Sequence, residues 1–371
     1  MKRDERIPVG VLGATGSVGQ RFVRMLAGHP WFRVTAVTAS DRSAGRPYAE
    51  AVRWLQDAPI PEEVARLTVL PTAVGPDVPI MFSALDSGVA GTAETEFASA
   101  GVMVVSNAKN HRMDPDVPLL VPEVNAGHLA LLEEQSFPKG GGIVTNPNCS
   151  TIGLVIPLRA LDQAFGVRQV NVVTLQAISG AGVPGVASME IMDNVIPYIG
   201  GEEDKLEQET RKILGVLQNG AVRDAEITVS AQCTRVPVMD GHLEMVSIGF
   251  ARRVSPAEVR EALAEFSGEP QDLDLPTAPK RPIHVLDAPD HPQPRLHREL
   301  DKGMAVSVGR IRECPLLDVK LALLSHNTIR GAAGGALLCA EMAVAQGRVP
   351  GIRLPAGVSA KVAVGARELV S

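Results

Sequence analysis

Residues 7–27 read IPVGVLGATGSVGQRFVRMLA, an apolar run that leads through a glycine-rich turn into an amphipathic stretch. The run 7–12 predicts a buried strand, and the stretch 18–27 predicts a helix. Glycines between a first strand and a first helix permit a tight turn and let backbone N–H groups reach a pyrophosphate. The spacing GxxGxxG is also compatible with a purely structural turn. The candidate cofactor contacts in this turn are Gly13, Thr15, Gly16, Ser17 and Val18.

The end of the second predicted strand, 34–38, bears on which dinucleotide binds. An acidic residue about 20 positions further on favours NAD through the ribose hydroxyls, and Asp41 is a candidate. Ser40, Arg42 and Ser43 flank this aspartate, however, and a cation with two hydroxyls suits the 2′-phosphate of NADP. We therefore favour NADP(H) as the cofactor, bound by Ser40, Arg42 and Ser43. A solvated turn is the alternative interpretation of these residues.

The remaining strand-like runs indicate an α/β chain with two different sheets. Short apolar runs at 79–84, 102–106 and 143–145 are typical of parallel βαβ units. Beyond Cys149 the runs become longer and alternate, at 169–177, 227–236 and 243–250, as in a half-exposed antiparallel sheet. The predicted fold is a Rossmann-type parallel-sheet NADP-binding domain plus an α+β catalytic and dimerisation domain with a mainly antiparallel sheet.

The domain boundaries follow from this change of pattern. We assign 1–148 to the NADP-binding domain, completed by a C-terminal helix within 327–371, and 149–326 to the catalytic and dimerisation domain. The charged segment 201–216 predicts a helix. The segment 269–298, rich in Pro, Asp and His, predicts a long loop or surface excursion.

Composition excludes several classes of protein. The chain has 371 residues, a net charge of −6 and only 3% aromatic residues, which argues against a nucleic-acid-binding protein. No uncharged apolar segment reaches the length of about 18 residues that a membrane helix needs. Four widely spaced cysteines form neither a metal knuckle nor a disulfide scaffold, so we expect a cytoplasmic protein. The histidines form no ligand-spaced pair, and no metal site is expected.

Cys149 is the strongest candidate nucleophile. It lies in Asn146-Pro147-Asn148-Cys149, between an apolar strand and the helix-like segment 152–161. A thiol at a helix N-terminus is expected to have a lowered pKa, and the N–H groups there can hold an oxyanion. This geometry suits covalent catalysis at a carbonyl. By itself a single cysteine is more often an inert buried residue.

Two later segments supply groups that such a reaction needs. Arg235 and His242 flank a turn between two extended segments, and the segment 176–185 (QAISGAGVPG) is a strand that runs into a glycine loop. Histidine is the common acid/base near neutral pH, and arginine binds carboxylates with two parallel hydrogen bonds. A polar turn, a surface ion pair and a simple glycine turn are the alternative interpretations.

Five motifs carry a family resemblance: GATGSVGQRF at 13–22, NPNCST at 146–151, QAISGAG at 176–182, EEDKLEQETRKIL at 202–214 and RVPVMDGH at 235–242. Over essentially the whole chain they resemble the aspartate-β-semialdehyde dehydrogenase family, in its archaeal and fungal branch. The resemblance implies that Cys149 is the nucleophile and thioester carrier, that His242 is the acid/base and that Gln176 orients the substrate.

The resemblance also implies the binding residues. Arg235 would bind the substrate α-carboxylate, and Glu202 its amino group, with the adjacent Glu203 leaving the register open. Lys205 and Arg112 would bind phosphate. Ser179, Gly180 and Asn327 would contact the cofactor, and for Asn327 a helix N-cap is the alternative.

The implied reaction is the NADPH-dependent reduction of L-4-aspartyl phosphate to L-aspartate 4-semialdehyde and phosphate, in the biosynthesis of lysine, threonine, methionine and isoleucine. The alternatives are a malonyl-CoA reductase or another acyl-phosphate or acyl-thioester reductase on the same fold, and a non-catalytic NADP-binding paralogue. N-acetylglutamyl-phosphate reductase and glyceraldehyde-3-phosphate dehydrogenase fit less well, because their cysteine contexts differ. The resemblance also implies that the protein forms a homodimer or a homotetramer.

Overall fold

The computed structural model describes residues 6–352, which form two six-stranded sheets and a short hairpin with helices around them. The strands are β1 Ile7–Leu12, β2 Phe32–Ala39, β3 Val69–Pro71, β4 Ile80–Ser83, β5 Met103–Ser106, β6 Gly142–Thr145, β7 Val167–Gln176, β8 Val216–Gln218, β9 Ala221–Arg223, β10 Thr228–Arg235, β11 His242–Phe250, β12 Ile283–Leu286, β13 Val306–Glu313 and β14 Val319–Ser325.

The α-helices are α1 Ser17–Leu26, α2 Tyr48–Ala51, α3 Glu62–Ala65, α4 Ser87–Ser99, α5 Pro122–Asn125, α6 Cys149–Phe165, α7 Ser188–Ile191, α8 Glu202–Ile213, α9 Pro256–Glu265, α10 Glu269–Asp272, α11 Pro294–His297 and α12 Gly334–Ala345. Three 3₁₀ segments, Ala126–Glu133, Ile178–Ala181 and Leu300–Gly303, and a π-helical turn, Ile329–Ala333, complete the list. Within residues 6–352, no helix combines the length and the apolar character that crossing a membrane requires.

The first sheet is parallel throughout, in the order β3-β2-β1-β4-β5-β6. The chain reverses its direction of winding between β1 and β4, and ligands of open α/β sheets bind at such a switch point, outside the carboxyl ends of the strands. The glycine turn leaves β1 at this point. The parallel Rossmann-type half of the predicted fold is confirmed.

The second sheet has the order β10-β7-β11-β14-β13-β12. Its central pairings, β7–β11, β11–β14 and β14–β13, are antiparallel, as predicted. The outer pairings β10–β7 and β12–β13 are parallel, so the sheet is mixed. The parallel pairing matters for function because it brings the carboxyl ends of β7 and β10, at Gln176 and Arg235, side by side.

The C-terminal helix α12 is buried on every side and packs into the core of the first sheet, although it follows the last strand of the second. Residues 336–345 share that core with β1, β2 and β4. The remainder of the predicted C-terminal segment, 353–371, lies outside the described residues.

The prediction of a long loop at 269–298 is wrong in part. The segment contains α10, α11 and the edge strand β12, which pairs with β13. Thr277 anchors the segment through its backbone N–H and hydroxyl, both of which donate to the buried Glu341, and His29 contacts the same carboxylate at 2.8 Å. The segment is rich in proline and aspartate, and the four residues of β12 show no strand pattern of their own. They form a strand because they pair with β13.

His128 gives the fold a pH dependence. Its ring is buried between Asn125 and the carbonyl of Gly215, and burial lowers its pKa from 6.5 to about 4. Between these values the unfolded chain binds a proton that the folded chain does not, so stability falls as the pH drops. We expect His128→Gln to remove about 2 kcal/mol of the loss in unfolding free energy between pH 7 and pH 5. Urea unfolding at the two pH values measures this, and an unchanged difference in the variant would contradict it.

Candidate active site

The start of α6 positions Cys149. Strand β6 ends at Thr145, and Asn148 caps the helix by accepting hydrogen bonds from the backbone N–H groups of Ser150 at 2.9 Å and Thr151 at 3.3 Å. Cys149 is therefore the first residue of a 17-residue helix. Its sulfur lies 3.2 Å from Nε2 of His242, which is fully buried at the start of β11. The structure thus brings together a cysteine and a histidine that are 93 residues apart.

The protonation of this pair differs from the prediction. Burial raises the pKa of the Cys149 thiol to about 12, and Glu202 adds to the rise, while Arg112 and Arg235 oppose it. Burial, with Arg235 and His326, lowers the pKa of His242 to about 3. The expected lowering of the thiol pKa is wrong, because loss of hydration outweighs the field of the helix N-terminus.

Gln176 and Arg235 end two neighbouring parallel strands and are both buried. The Gln176 amide donates to Thr174 Oγ1 at 3.3 Å and to Glu202 at 3.4 Å. Arg235 donates through one terminal nitrogen to the carbonyl of Ala177 at 2.7 Å. This bond uses one of the N–H donors of the guanidinium and leaves the others for a ligand.

Helix α8 supplies Glu202 and Lys205. Glu202 accepts hydrogen bonds from the Asn148 side chain and from Lys205, each at 2.7 Å. Burial alone would raise the pKa of Glu202, but the bonds from Lys205, Asn148 and Gln176 outweigh it and lower that pKa. Glu203 instead accepts from the backbone N–H of Cys233 at 3.0 Å, on strand β10. Glu202 is therefore the residue of the two that lies at the site.

Arg112 is buried and joins the site through Glu209, a residue that the sequence analysis missed. Arg112 donates to Glu209 at 2.9 Å and to the carbonyl of Asn107 at 2.7 Å. The second oxygen of Glu209 accepts from the backbone N–H of Asn148 at 2.6 Å, next to the nucleophile. Glu209 lies seven residues after Glu202, two helical turns along the same face, and that spacing was the available signal.

Lys212, one turn further along α8, holds the loop that carries Arg112. Its ammonium donates to the carbonyls of Arg112, Asp114 and Val117 at 2.8, 2.7 and 3.0 Å. Three backbone acceptors around one buried ammonium tie this loop to α8. One face of α8 thus organises the cysteine turn, the amide of Gln176 and the arginine loop.

Asn327 connects the turn before His242 to the glycine loop that follows β7. Its side-chain carbonyl accepts from the backbone N–H of Gly241, next to His242, and its amide donates to Ser179 Oγ, each at 2.8 Å. The alternative of a helix N-cap is wrong, because the following turn is π-helical and begins at Ile329. Asn327, with Ser179, stays a predicted cofactor contact.

Two glycines pack directly against the catalytic side chains. An added Cβ at Gly180 would lie 2.9 Å from the guanidinium of Arg235 and 3.2 Å from the ring of His242. An added Cβ at Gly331, in the π-helical turn, would lie 2.7 Å from Cβ of Cys149. Neither position has space for a side chain.

The glycine turn fits a dinucleotide. Gly13 has a φ of +71°, and an added Cβ at Gly19 would lie 2.2 Å from the Gly13 carbonyl, so these positions serve the tight turn and the helix packing. At Gly16 the nearest atom to an added Cβ is 3.4 Å away, which leaves an open approach at the N-terminus of α1. Three glycines with these roles form the pyrophosphate cradle of dinucleotide-binding folds. Thr15 lies in the same turn, and Ser17 and Val18 are the first two residues of α1. The exposed Ser40 and Arg42, with Ser43, follow the end of β2.

Comparisons with known proteins agree with this arrangement. Residues 8–132 match the family model "semialdehyde dehydrogenase, NAD binding domain", and residues 158–330 match "semialdehyde dehydrogenase, dimerisation domain". The aspartate-semialdehyde dehydrogenase of Cryptococcus neoformans is 52% identical over 93% of this chain and 98% of its own. That of Methanothermobacter thermautotrophicus is 50% identical over 91% and 98%. The crystal structure of the Candida albicans enzyme with NADP superposes with a TM-score of 0.85 at 47% identity, covering 93% of this chain and 100% of that one.

Proposed function

The chain belongs to the semialdehyde dehydrogenase family, and we propose that it reduces L-4-aspartyl phosphate to L-aspartate 4-semialdehyde and inorganic phosphate with NADPH, through a thioester on Cys149. The reaction is reversible, and in the forward direction it serves the biosynthesis of lysine, threonine, methionine and isoleucine. The observation that carries the proposal is the contact of 3.2 Å between Cys149 Sγ and His242 Nε2, with Arg235 and Glu202 beside it.

The charged groups around the sulfur match the ends of an aspartyl group. Arg235, with donors left beyond its bond to Ala177, binds the α-carboxylate. Glu202 binds the α-ammonium, an interaction that a substrate without an amino group, such as malonyl-CoA, cannot make. Gln176, bonded to Glu202, orients the substrate.

Attack by Cys149 on the acyl carbon expels phosphate, whose charge Lys205 and Arg112 offset. The backbone N–H of Cys149 and the side chain of His242 stabilise the carbonyl oxygen that becomes negative. When bound, the reduced nicotinamide supplies the hydride that converts the thioester to the aldehyde level. The cofactor is held by the glycine turn, with Ser40, Arg42 and Ser43 at the 2′-phosphate and Ser179, Gly180 and Asn327 nearer the nucleophile.

A substrate panel tests this function. We expect reduction of NADP with L-aspartate 4-semialdehyde to require phosphate and to exceed the reduction of NAD. In the opposite direction, malonyl-CoA with NADPH is the competing substrate. Phosphate-independent turnover, or faster turnover of malonyl-CoA than of aspartyl phosphate, would reject the proposed substrate.

Arg235→Lys tests the carboxylate site. Lysine keeps the charge but lacks the two parallel N–H donors. We therefore expect KM for the semialdehyde to rise roughly 10–100-fold, which corresponds to the free energy of one charge-assisted hydrogen bond. The matched control is Arg168→Lys, at an exposed position on β7 of the same sheet. Steady-state kinetics on both variants measures the effect, and equal KM values would remove Arg235 from the substrate site.

We further propose an oligomeric assembly and a cytoplasmic location. The protein acts as an oligomer on a small molecule, and a homodimer, or a tetramer of two dimers, is formed by the region 149–326 with the second sheet. The cofactor-binding domain comprises 1–148 with the helix that follows residue 327, and the catalytic and dimerisation domain comprises 149–326. All four cysteines are free thiols, which supports a cytoplasmic location.

A further inference from the structure

Strand β10 is the end strand of the second sheet, and two carboxylates of α8 bind its outer edge. The strand pairs with β7 on its inner side, so the backbone N–H groups of alternate residues point away from the sheet. The N–H of Ala231 donates to Glu207 at 2.9 Å, and the N–H of Cys233 donates to Glu203 at 3.0 Å. These two bonds form an edge clamp between the helix and the strand.

The spacing of the two carboxylates matches the spacing of the two amides. Glu203 and Glu207 are four residues apart, which separates them by about 6 Å along the axis of α8. Ala231 and Cys233 are two residues apart on an extended strand, a distance of about 6–7 Å. A slip of α8 by one strand residue would set both carboxylates beside N–H groups that point toward β7. The edge clamp therefore fixes the register of α8 on β10.

This register sets the relative position of the two groups proposed to bind the amino-acid end of the substrate. Arg235 lies two residues after Cys233 on β10, and Glu202 directly precedes Glu203 on α8. Beyond the edge clamp, the N–H of Arg235 donates to the carbonyl of Ile196 at 2.8 Å, so the strand is held at its last residue too. The α-carboxylate and the α-ammonium are attached to one carbon atom. A guanidinium and a carboxylate that bind both groups at once must therefore keep a fixed separation.

We propose, on the basis of the proposed function, that Glu203 and Glu207 are positioning residues that determine specificity for an α-amino acid: the edge clamp holds Glu202 at the distance from Arg235 that the two substrate groups require. Glu203 and Glu207 act through the backbone of β10 and do not touch the substrate. Each clamp bond uses one carboxylate oxygen as an acceptor, so the amide oxygen of a glutamine can replace it.

Three substitutions at Glu203 separate the hydrogen bond from the charge. Glu203→Gln keeps the acceptor without the charge, Glu203→Asp keeps the charge on a side chain too short to reach the Cys233 amide, and Glu203→Leu has neither. We expect the Asp and Leu variants to lose roughly tenfold in kcat/KM for L-aspartate 4-semialdehyde, the effect of one hydrogen bond, and the Gln variant to stay within about threefold of the wild type. The matched control is Asp204→Leu, at an exposed position of α8, which should leave kcat/KM unchanged.

Combination with Arg235→Lys tests whether Glu203 acts through the substrate-binding groups. The lysine lacks the two parallel donors, so the register of α8 has less to position in that background. We expect Glu203→Asp to change kcat/KM by less than about threefold in the Arg235→Lys enzyme, because substitutions that disrupt one interaction are not additive. The full tenfold loss in both backgrounds would overturn the proposal. Equal losses in Glu203→Gln and Glu203→Asp would overturn it as well.

Hydrogen–deuterium exchange followed by mass spectrometry tests the edge clamp without any substrate. We expect the amides of 228–235 to exchange roughly tenfold faster in Glu203→Asp than in the wild type, and at the wild-type rate in Glu203→Gln. Wild-type exchange in Glu203→Asp would overturn the proposal while leaving the proposed function intact. Failure of the wild type to reduce NADP with semialdehyde and phosphate would instead reject the function, and with it the specificity that the edge clamp is proposed to set.

Discussion

Cys149→Ser is expected to lower kcat by at least about 10³-fold, because covalent catalysis ends when the nucleophile is replaced by a far weaker one. The alcohol has a geometry similar to that of the thiol but lacks its polarisable sulfur, and it is a much weaker acid than the thiol. Binding of NADP should be unchanged, because the glycine turn at 13–19 does not include α6. Pre-steady-state kinetics should also show no burst of phosphate release from the variant.

The control for this loss is Cys314→Ser. Cys314 lies in the turn between β13 and β14 and is partly exposed, so it should leave kcat unchanged. Mass spectrometry of quenched wild type is expected to find the aspartyl group on Cys149. Near-normal turnover by Cys149→Ser, or acylation elsewhere, would be incompatible with the thioester route.

Arg330→Ala is expected to lower the free energy of unfolding by about 3–5 kcal/mol, the usual effect of removing one partner from a buried ion pair. Arg330 and Glu123 both have no exposed side-chain surface, and the guanidinium donates to both carboxylate oxygens at 2.7 and 2.6 Å. The substitution leaves a carboxylate without water or a cation. It also leaves a cavity beside Gly331, which packs against Cys149.

Chemical denaturation with two spectroscopic probes measures this loss. The control is Arg223→Ala, which removes an ion pair with Glu226 whose two side chains are 62% and 79% exposed. That variant should lose less than about 1 kcal/mol, because water replaces the partner. Equal losses in the free energy of unfolding for the two variants would contradict the claim that burial makes the Arg330–Glu123 pair more stabilising than the exposed pair.

Much of the fold could be predicted from local pattern. The glycine turn, the strand before it and the helix after it are within one or two residues of their predicted bounds. The same holds for β11, and α8 ends three residues before its predicted end; alternation in β11 and charge in α8 are continuous over eight residues or more. The edge strand β12 was missed because its stability comes from its neighbour.

The sequence predicted some residues of the candidate site and not others. Cys149 and His242 were recognised and lie in contact. Glu209 was not, although it joins Arg112 to the backbone before Cys149. In sequence it is one acidic residue among several on a charged helix, and its role depends on which face of α8 is turned toward the site.

The sequence by itself determined the parallel nucleotide-binding half, the glycine turn and the placement of a cysteine at the start of a helix. These features depend on neighbours within about one turn or strand, where backbone conformation and hydrophobic period dominate. Only the tertiary structure decided how the residues of the site come together. Arg112 and Glu209 are 97 residues apart, and Ala177 and His242 are 65 apart. The burial around Cys149 and the hydrogen bond from the Ala177 amide to the His242 ring both arise from such distant contacts, which no local pattern encodes.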